Sequence, residues 1–408
     1  MKVLELNFFK VESLLSIYLL SGIIKGFLLF NSINTYIDIT FLFAILLFFS
    51  FVFEIVKQNN FKKIFKVNNT IILFILFWMW MFLSLIYTRS DNNSLTKALY
   101  FGTNLIPVYF ILSKYDNFNI RLFLKYFIVL QLVLVLLYFP YAYKYYKTWD
   151  SGLREFTRMY LSLGENVGLV FLSLYFSRDF IFSKTLDKIL MIISLIFLFA
   201  LSARGPIFFV LLILIFNFLV NSKKISLLIS KRVFYVFIFS FIVIIFLSVF
   251  YWDSLYLVLN NSLFRINIFF ESLFSPRSIQ DSSISLRLEL LKNAISIIFS
   301  DINTFLIGKG IGSFGIEVYG IDSSIHPHNN IIEVLFELGF IGLILYGAFF
   351  ISIVYKIRIN YKYISYFIIL YAILNILKSS SLVEIRTFIS FIILHGINSN
   401  SNYRLYKT

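Results

Sequence analysis

The chain contains no cysteine, which excludes disulfides, thiol nucleophiles and iron–sulfur clusters. Charge is scarce as well: Asp, Glu, Lys and Arg make up 14% of the residues, against about 25% in soluble domains. Histidine occurs three times and proline five times, so few imidazoles are on offer for acid–base work. There is no Walker A loop, hence no encoded ATP drive. Neither a Pro- or Ser-rich interdomain linker nor a convincing internal repeat appears. The stretch Met1 to Lys10 runs into an apolar segment without an A-x-A-like cleavage site, so that segment is expected to remain as a helix.

Apolar side chains fill the space left by what is missing. Of the 408 residues 60% are hydrophobic, 52 are Phe and 20% are aromatic, and the mean hydropathy is +0.87. A soluble domain has too little interior to hide such a surface, so the chain must take lipid as its solvent. About 20 apolar residues cross a bilayer as a helix. Apolar runs predict spans near 10–31, 36–56, 70–88, 96–113, 121–142, 159–177, 187–203, 206–222, 233–252, 330–355, 362–378 and 382–399. The expected fold is therefore an all-α polytopic membrane protein of about 12 transmembrane helices. Asn104, Glu165 and Asn166 interrupt the fourth and sixth runs and make them the weakest.

The formal charge of +15 need not mean nucleic acid. With twelve spans, 21 of the 36 Lys and Arg fall on the side that carries both termini, which the positive-inside rule assigns to the cytoplasm. The chain then divides into 1–252 with nine spans, an outer loop over 253–329, and 330–408 with three more spans. A 77-residue connection is too long to be a simple turn. Its amphipathic stretch Leu286–Ile298 and its glycine tract at 308–315 predict a folded cap of short helices.

Polar groups placed at membrane depth or at its edge are costly, and so carry the functional signal. Ser202-Ala203-Arg204-Gly205-Pro206 makes a tight hairpin, and Arg204 beside a helix N-terminus suits an anion. Snorkelling to the interface is its other use. In His326-Pro327-His328-Asn329-Asn330, either Asn can cap the tenth span, and Asn330-x-x-Glu333 resembles a capping box. His328 can serve there as a general base, or simply be an interfacial histidine. Glu333 and Glu337 share a face, and Gly339 and Gly342 suit close approach of a neighbouring helix. Outward-facing Arg287, Arg265, Arg277, Arg154 and Arg158 suit a diphosphate or else salt bridges inside the cap. The tyrosines from Tyr141 to Tyr146 read as an interfacial belt, with sugar stacking as the alternative. His-x-His lacks a third ligand at a recognisable spacing, and Asp38 stands without a paired acid, so no metal site is expected.

In this order, these elements resemble the O-antigen polymerase and O-antigen ligase superfamily of bacterial envelope enzymes, most clearly from about 155 to 350. Ser202-Ala203-Arg204 looks like its serine/arginine turn, and Arg158 through Gly164-Glu165-Asn166 is similar to a weaker upstream element. Ser285-Leu286-Arg287, the tract Gly308-Lys309-Gly310-Ile311-Gly312-Ser313-Phe314, then His328-Asn329 with Glu337-Leu338-Gly339 and Gly342 follow its signature. Leu288 and Leu290 depart from it, since an aromatic often follows the arginine.

The resemblance implies a GT-C-like arrangement and a metal-independent glycosyltransferase without a cofactor. Its donor and acceptor would be oligosaccharides on undecaprenyl diphosphate, in contact with membrane lipids and with a chain-length regulator as a further partner. Arg204 and Arg287 would hold the diphosphate and His328 would be the catalytic base, supported by Arg158, Arg265, Asn329 and Glu333. Polymerase is the preferred expectation, at the outer face of a bacterial inner membrane. Transfer to lipid A–core by a ligase is the alternative, and a flippase of lipid-linked glycan the more distant one.

Overall fold

A computed structural model describes residues 10–31, 38–57, 69–114, 118–148, 159–177, 181–201, 203–221, 282–355, 364–379, 381–382 and 384–397. Among these residues the secondary structure is helical, without strands. The helices are α1 (Val11–Phe30), α2 (Ile39–Lys57), α3 (Asn69–Ser84), α4 (Asn92–Lys114), α5 (Ile120–Thr148), α6 (Tyr160–Phe176), α7 (Lys184–Ala200) and α8 (Arg204–Asn221). After them come α9 (Ser282–Ile298), α10 (Ile302–Ile307), α11 (Phe314–Tyr319), α12 (Asn330–Tyr355), α13 (Ile364–Ser379) and α14 (Arg386–Ile397).

Eleven of the twelve expected spans coincide with helices, including the two interrupted ones, now α4 and α6. The span at 233–252 lies outside the described residues, as does the start of the outer loop, 253–281. Among the described residues, three helices are long and apolar enough to cross a membrane by themselves, at Val11–Leu29, Ile120–Tyr141 and Asn330–Ile353. Five more are apolar but shorter. Large apolar side chains stand exposed along them, among them Phe49, Phe53, Leu136, Ile215, Leu219, Ile344 and Ile351. Such rows are lipid-facing surface, and the chain is a helical membrane protein.

Two compact units make up the chain. The first comprises Met1–Phe43, Asn119–Ser278 and Tyr366–Tyr371. In it α1 packs on α5, and α6 packs on α5, α7 and α8. The Glu12 carboxylate accepts from the Asn119 backbone N–H at 3.0 Å, and Ser16 donates to the Phe123 carbonyl at 3.2 Å. Asp38 caps α2 through the Thr40 N–H and pairs with Lys25, which accounts for an acid that had no partner in the sequence. Glycine lets α6 come close to the α7–α8 turn: a Cβ at Gly164 would lie 2.4 Å from the Ala203 methyl.

The second unit comprises Ala44–Phe118, Ile279–Ser365 and Ala372–Thr408. Its centre is α12, which packs on α3, α9, α10, α11 and α14, while α4 packs on α3 and α14. Where the expected outer loop is described, it forms the helices α9, α10 and α11, and Leu290, Ala294, Ile298 and Phe314 are buried together with Phe336 of α12.

Candidate active site

The glycine tract and the Glu-Leu-Gly segment form one structural device. Within α12, Gly339 adopts φ 67° and ψ −170°, which breaks the helix. A break leaves carbonyls without their intrahelical donors, and buried carbonyls must find others. The Phe336 carbonyl accepts from the Lys309 N–H at 2.9 Å and that of Glu337 from the Gly310 N–H at 2.8 Å. The Leu338 carbonyl accepts from the Trp80 indole at 2.9 Å. Close approach enforces glycine on both strands of this contact. A Cβ at Gly339 would lie 2.4 Å from the Leu306 carbonyl oxygen, and one at Gly308, itself at φ 80°, 2.5 Å from that of Glu337. Gly339 is thus a kink fitted to the end of α10 and the tract after it, while a Cβ at Gly342 would lie 3.4 Å from Trp80 of α3, so both glycines serve the close approach of a neighbouring helix.

The connection between α3 and α4 clamps the tract from its other side. The Ile311 N–H donates to Ser84 at 3.1 Å, and Thr88 donates to the Ile311 carbonyl at 3.0 Å. Asn93 donates to the carbonyls of Gly312 at 3.1 Å and Ser323 at 3.0 Å. Asp322 accepts from Ser90 at 2.6 Å and from the Asn92 N–H at 3.1 Å. These bonds hold its carboxyl below the ordinary carboxylate range.

One turn beyond its start, α12 buries two carboxylates completely. Lys97 of α4 reaches both, with Nζ 2.5 Å from Glu333 Oε1 and 2.7 Å from Glu337 Oε1. Two acids on one ammonium leave a negative excess, so further donors are needed. Glu333 accepts from the Ser381 hydroxyl at 3.1 Å and the Leu382 N–H at 3.0 Å; Glu337 accepts from the Gly312 backbone. Lys97 was not singled out in the sequence. Two glutamates one turn apart in an apolar helix do, however, demand a cation, and Lys97 stands near the head of a hydrophobic run.

His328 forms the turn into α12, behind a buried Pro327. At φ 52° it is the one non-glycine residue with left-handed backbone among those described. Such a conformation costs on the order of 1 kcal/mol and marks functional sites when surrounding structure imposes it. Asn329 caps the helix, its Oδ1 accepting from the Ile332 N–H at 3.1 Å. The Asn330-x-x-Glu333 box does not form. Asn330 accepts from Tyr346, and the Glu333 carboxylate is committed to Lys97. The His326 and His328 rings lie 4.5 Å apart, and His326 Nε2 is buried without a hydrogen-bond partner.

Arg287 belongs to this same unit. On α9 it continues, by helical spacing, the buried stripe of Leu290, Ala294 and Ile298, and it is itself half-buried. Arg204 belongs to the first unit. It is the first residue of α8, so Pro206 occupies the third helical position rather than the first, and the neighbouring Ala203 is buried against Gly164. Glu165 and Asn166, which follow Gly164 on α6, are buried as well. Arg158 and Arg265 lie outside the described residues, as does Ser202. Among the described residues no three His, Asp or Glu come together as a metal-ligand set.

The fold and this site define a class: a helical membrane protein whose histidine turn opens a kinked span, braced by a glycine tract and a buried acid pair. Residues 189–347 match the family model described as O-antigen ligase. That match takes in Arg204, helices α9 to α11, the glycine tract, His328 and the kink, so this part of the chain is similar to the O-antigen ligase and polymerase superfamily. No curated protein matches the chain.

Proposed function

We propose that the protein is a surface-polysaccharide polymerase that works on lipid-linked glycans without a metal, at the outer face of a bacterial inner membrane that it crosses about twelve times. The donor is a growing glycan on undecaprenyl diphosphate; the acceptor is a hydroxyl of a lipid-linked repeat unit. The hydroxyl oxygen attacks the anomeric carbon, the bond to the diphosphate oxygen breaks, and the hydroxyl proton passes to His328. The diphosphate leaves with its charge, which Arg287 is suited to take up; Arg204 offers the same guanidinium chemistry at a helix N-terminus. The observation that carries this reading is the left-handed His328, held at the head of α12 by the Asn329 cap and a buried Pro327. Neutral imidazole is a competent base near physiological pH.

The test is His328→Ala in a strain that depends on this chain. Long-chain glycan should be lost while the protein still inserts and unfolds as the parent does; near-normal long-chain glycan removes His328 from the chemistry. Arg204→Ala and Arg287→Ala should both be severe and the Lys variants partly active, because fork geometry matters as well as charge. The description of the matching family favours a second reading, transfer of finished glycan to lipid A–core. A deletion strain separates the two. A single repeat on core indicates the polymerase, and core without O-antigen, with long glycan kept on the carrier, the ligase.

A further inference from the structure

Helix α9 has three faces, where a helix in water on a protein surface has two. At about 100° per residue, Leu290, Ala294 and Ile298 form the buried face. Ser285, Glu289, Asn293 and Ser296 form a polar face. Between them runs a third, of Leu288, Ile295 and Phe299, which are 44%, 39% and 65% exposed. In α10 this row continues with Ile302 and Leu306, 70% and 40% exposed. Lys292 stands on the border between the third face and the polar one, as a long cation does where apolar surface meets water.

This apolar row does not stop within the cap. The Phe299 ring stacks on Phe305 at 5.6 Å, and Phe305 stacks on Phe340 at 5.5 Å. Phe340 follows the Gly339 kink and opens the exposed row Phe340, Ile344 and Ile351 on one face of α12, a helix long and apolar enough to span the membrane. The apolar face of the cap is therefore continuous with lipid-facing surface.

We infer that α9 and α10 lie in the bilayer interface, with Leu288, Ile295, Phe299, Ile302 and Leu306 in the acyl region and the Ser285–Glu289–Asn293–Ser296 face towards water. The cap is then a peripheral part of the membrane domain, not a lid standing in solvent. An interfacial helix has this division of apolar and polar faces. The inference does not depend on which glycan is transferred, or on any transfer at all. It does place Arg287, on the protein side of the same helix, at the depth of lipid phosphates.

Absence of cysteine makes the test direct, since one introduced cysteine takes one spin label. Labels are placed singly at Leu288→Cys, Ile295→Cys, Phe299→Cys and Ile302→Cys in the full chain, reconstituted in phosphatidylethanolamine–phosphatidylglycerol vesicles. Ile344→Cys on α12 is the lipid reference; Glu289→Cys and Asn293→Cys are the aqueous ones. All are partly or fully exposed positions, so folding is little disturbed. Relaxation by oxygen, which partitions into lipid, should exceed relaxation by a water-soluble nickel chelate several-fold at the first four, as at Ile344. The polar-face labels should show the reverse. Two results overturn the inference: nickel accessibility on the apolar row equal to that at Glu289 and Asn293, which places the cap in water; or shielding from both reagents, which places a second copy or another protein on that face.

Discussion

The two halves of α12 differ in nearly every respect but their hydrogen-bonded helix. Before Gly339 the helix carries Asn330, Glu333 and Glu337, all fully buried, and each is held by a named partner. After Gly339 it carries the exposed Phe340, Ile344 and Ile351, and it has one buried polar group tied to the first half, the Tyr346 hydroxyl that donates to Asn330. The first half is a polar site walled in by protein; the second is an ordinary span. The kink allows both, because it frees carbonyls that the glycine tract then takes up, locking the site-bearing half to the cap. A continuous helix would offer the tract no acceptors.

The largest effect should follow from removing the cation of the buried half. Lys97→Met leaves two carboxylates facing each other without an ammonium, and breaking a buried pair typically costs about 3–5 kcal/mol. We expect a large fall in the unfolding temperature in detergent, with loss of folded yield. Adding Glu333→Gln and Glu337→Gln to Lys97→Met should recover much of it, since the orphaned charges disappear. Failure of the triple variant to recover would mean that the charges themselves organise the fold.

A smaller effect is expected at the kink, and here the halves can be compared with one substitution type. Gly339→Ala puts a methyl 2.4 Å from the Leu306 carbonyl oxygen at φ 67°. Strain of this kind costs on the order of 1–3 kcal/mol. Gly347→Ala lies in the apolar half, where an added Cβ meets nothing within 4 Å. It should be neutral or stabilise by about 0.5–1 kcal/mol, as glycine is a poor helix former. Thermal unfolding of the two variants decides this. Equal destabilisation would refute the division of α12 into a fitted half and a free one.

Much of this comparison could be read from residue order, because membrane helices leave a strong local signal. The apolar runs located eleven helices to within a few residues, and the amphipathic run from Leu286 anticipated α9. The His-Asn turn was also legible, since an N-cap before a hydrophobic run is a local pattern. What escaped depends on contacts distant in sequence. Asn330-x-x-Glu333 has the letters of a capping box, yet Glu333 gains more from Lys97, some 236 positions earlier. Gly339 and Gly342 have the spacing of a helix-packing motif, but the spacing does not say that one meets the end of α10 at Leu306 and the other Trp80 of α3, or that Gly339 breaks its own helix. A spacing rule sees one strand of a contact and cannot say what lies on the other.

The smallest effect tests burial against exposure directly. Asp322 ties the end of the glycine tract to Ser90, Asp91 and Asn92 much as Glu333 ties α12 to Lys97, but it stands exposed. Its hydrogen bonds, that from Ser90 above all, lower its pKa from the ordinary 3.8. A carboxylate with a depressed folded pKa contributes stability that is complete above the unfolded value and is lost as pH falls through the folded one. Asp322→Asn should therefore unfold slightly below the parent temperature at pH 7, and the gap should close as the pH drops through and below 4. Solvent screening keeps the difference small at any pH. A gap that stays constant down to pH 3 would assign the loss to geometry rather than charge, and the contrast between exposed and buried acids would then rest on Lys97 alone.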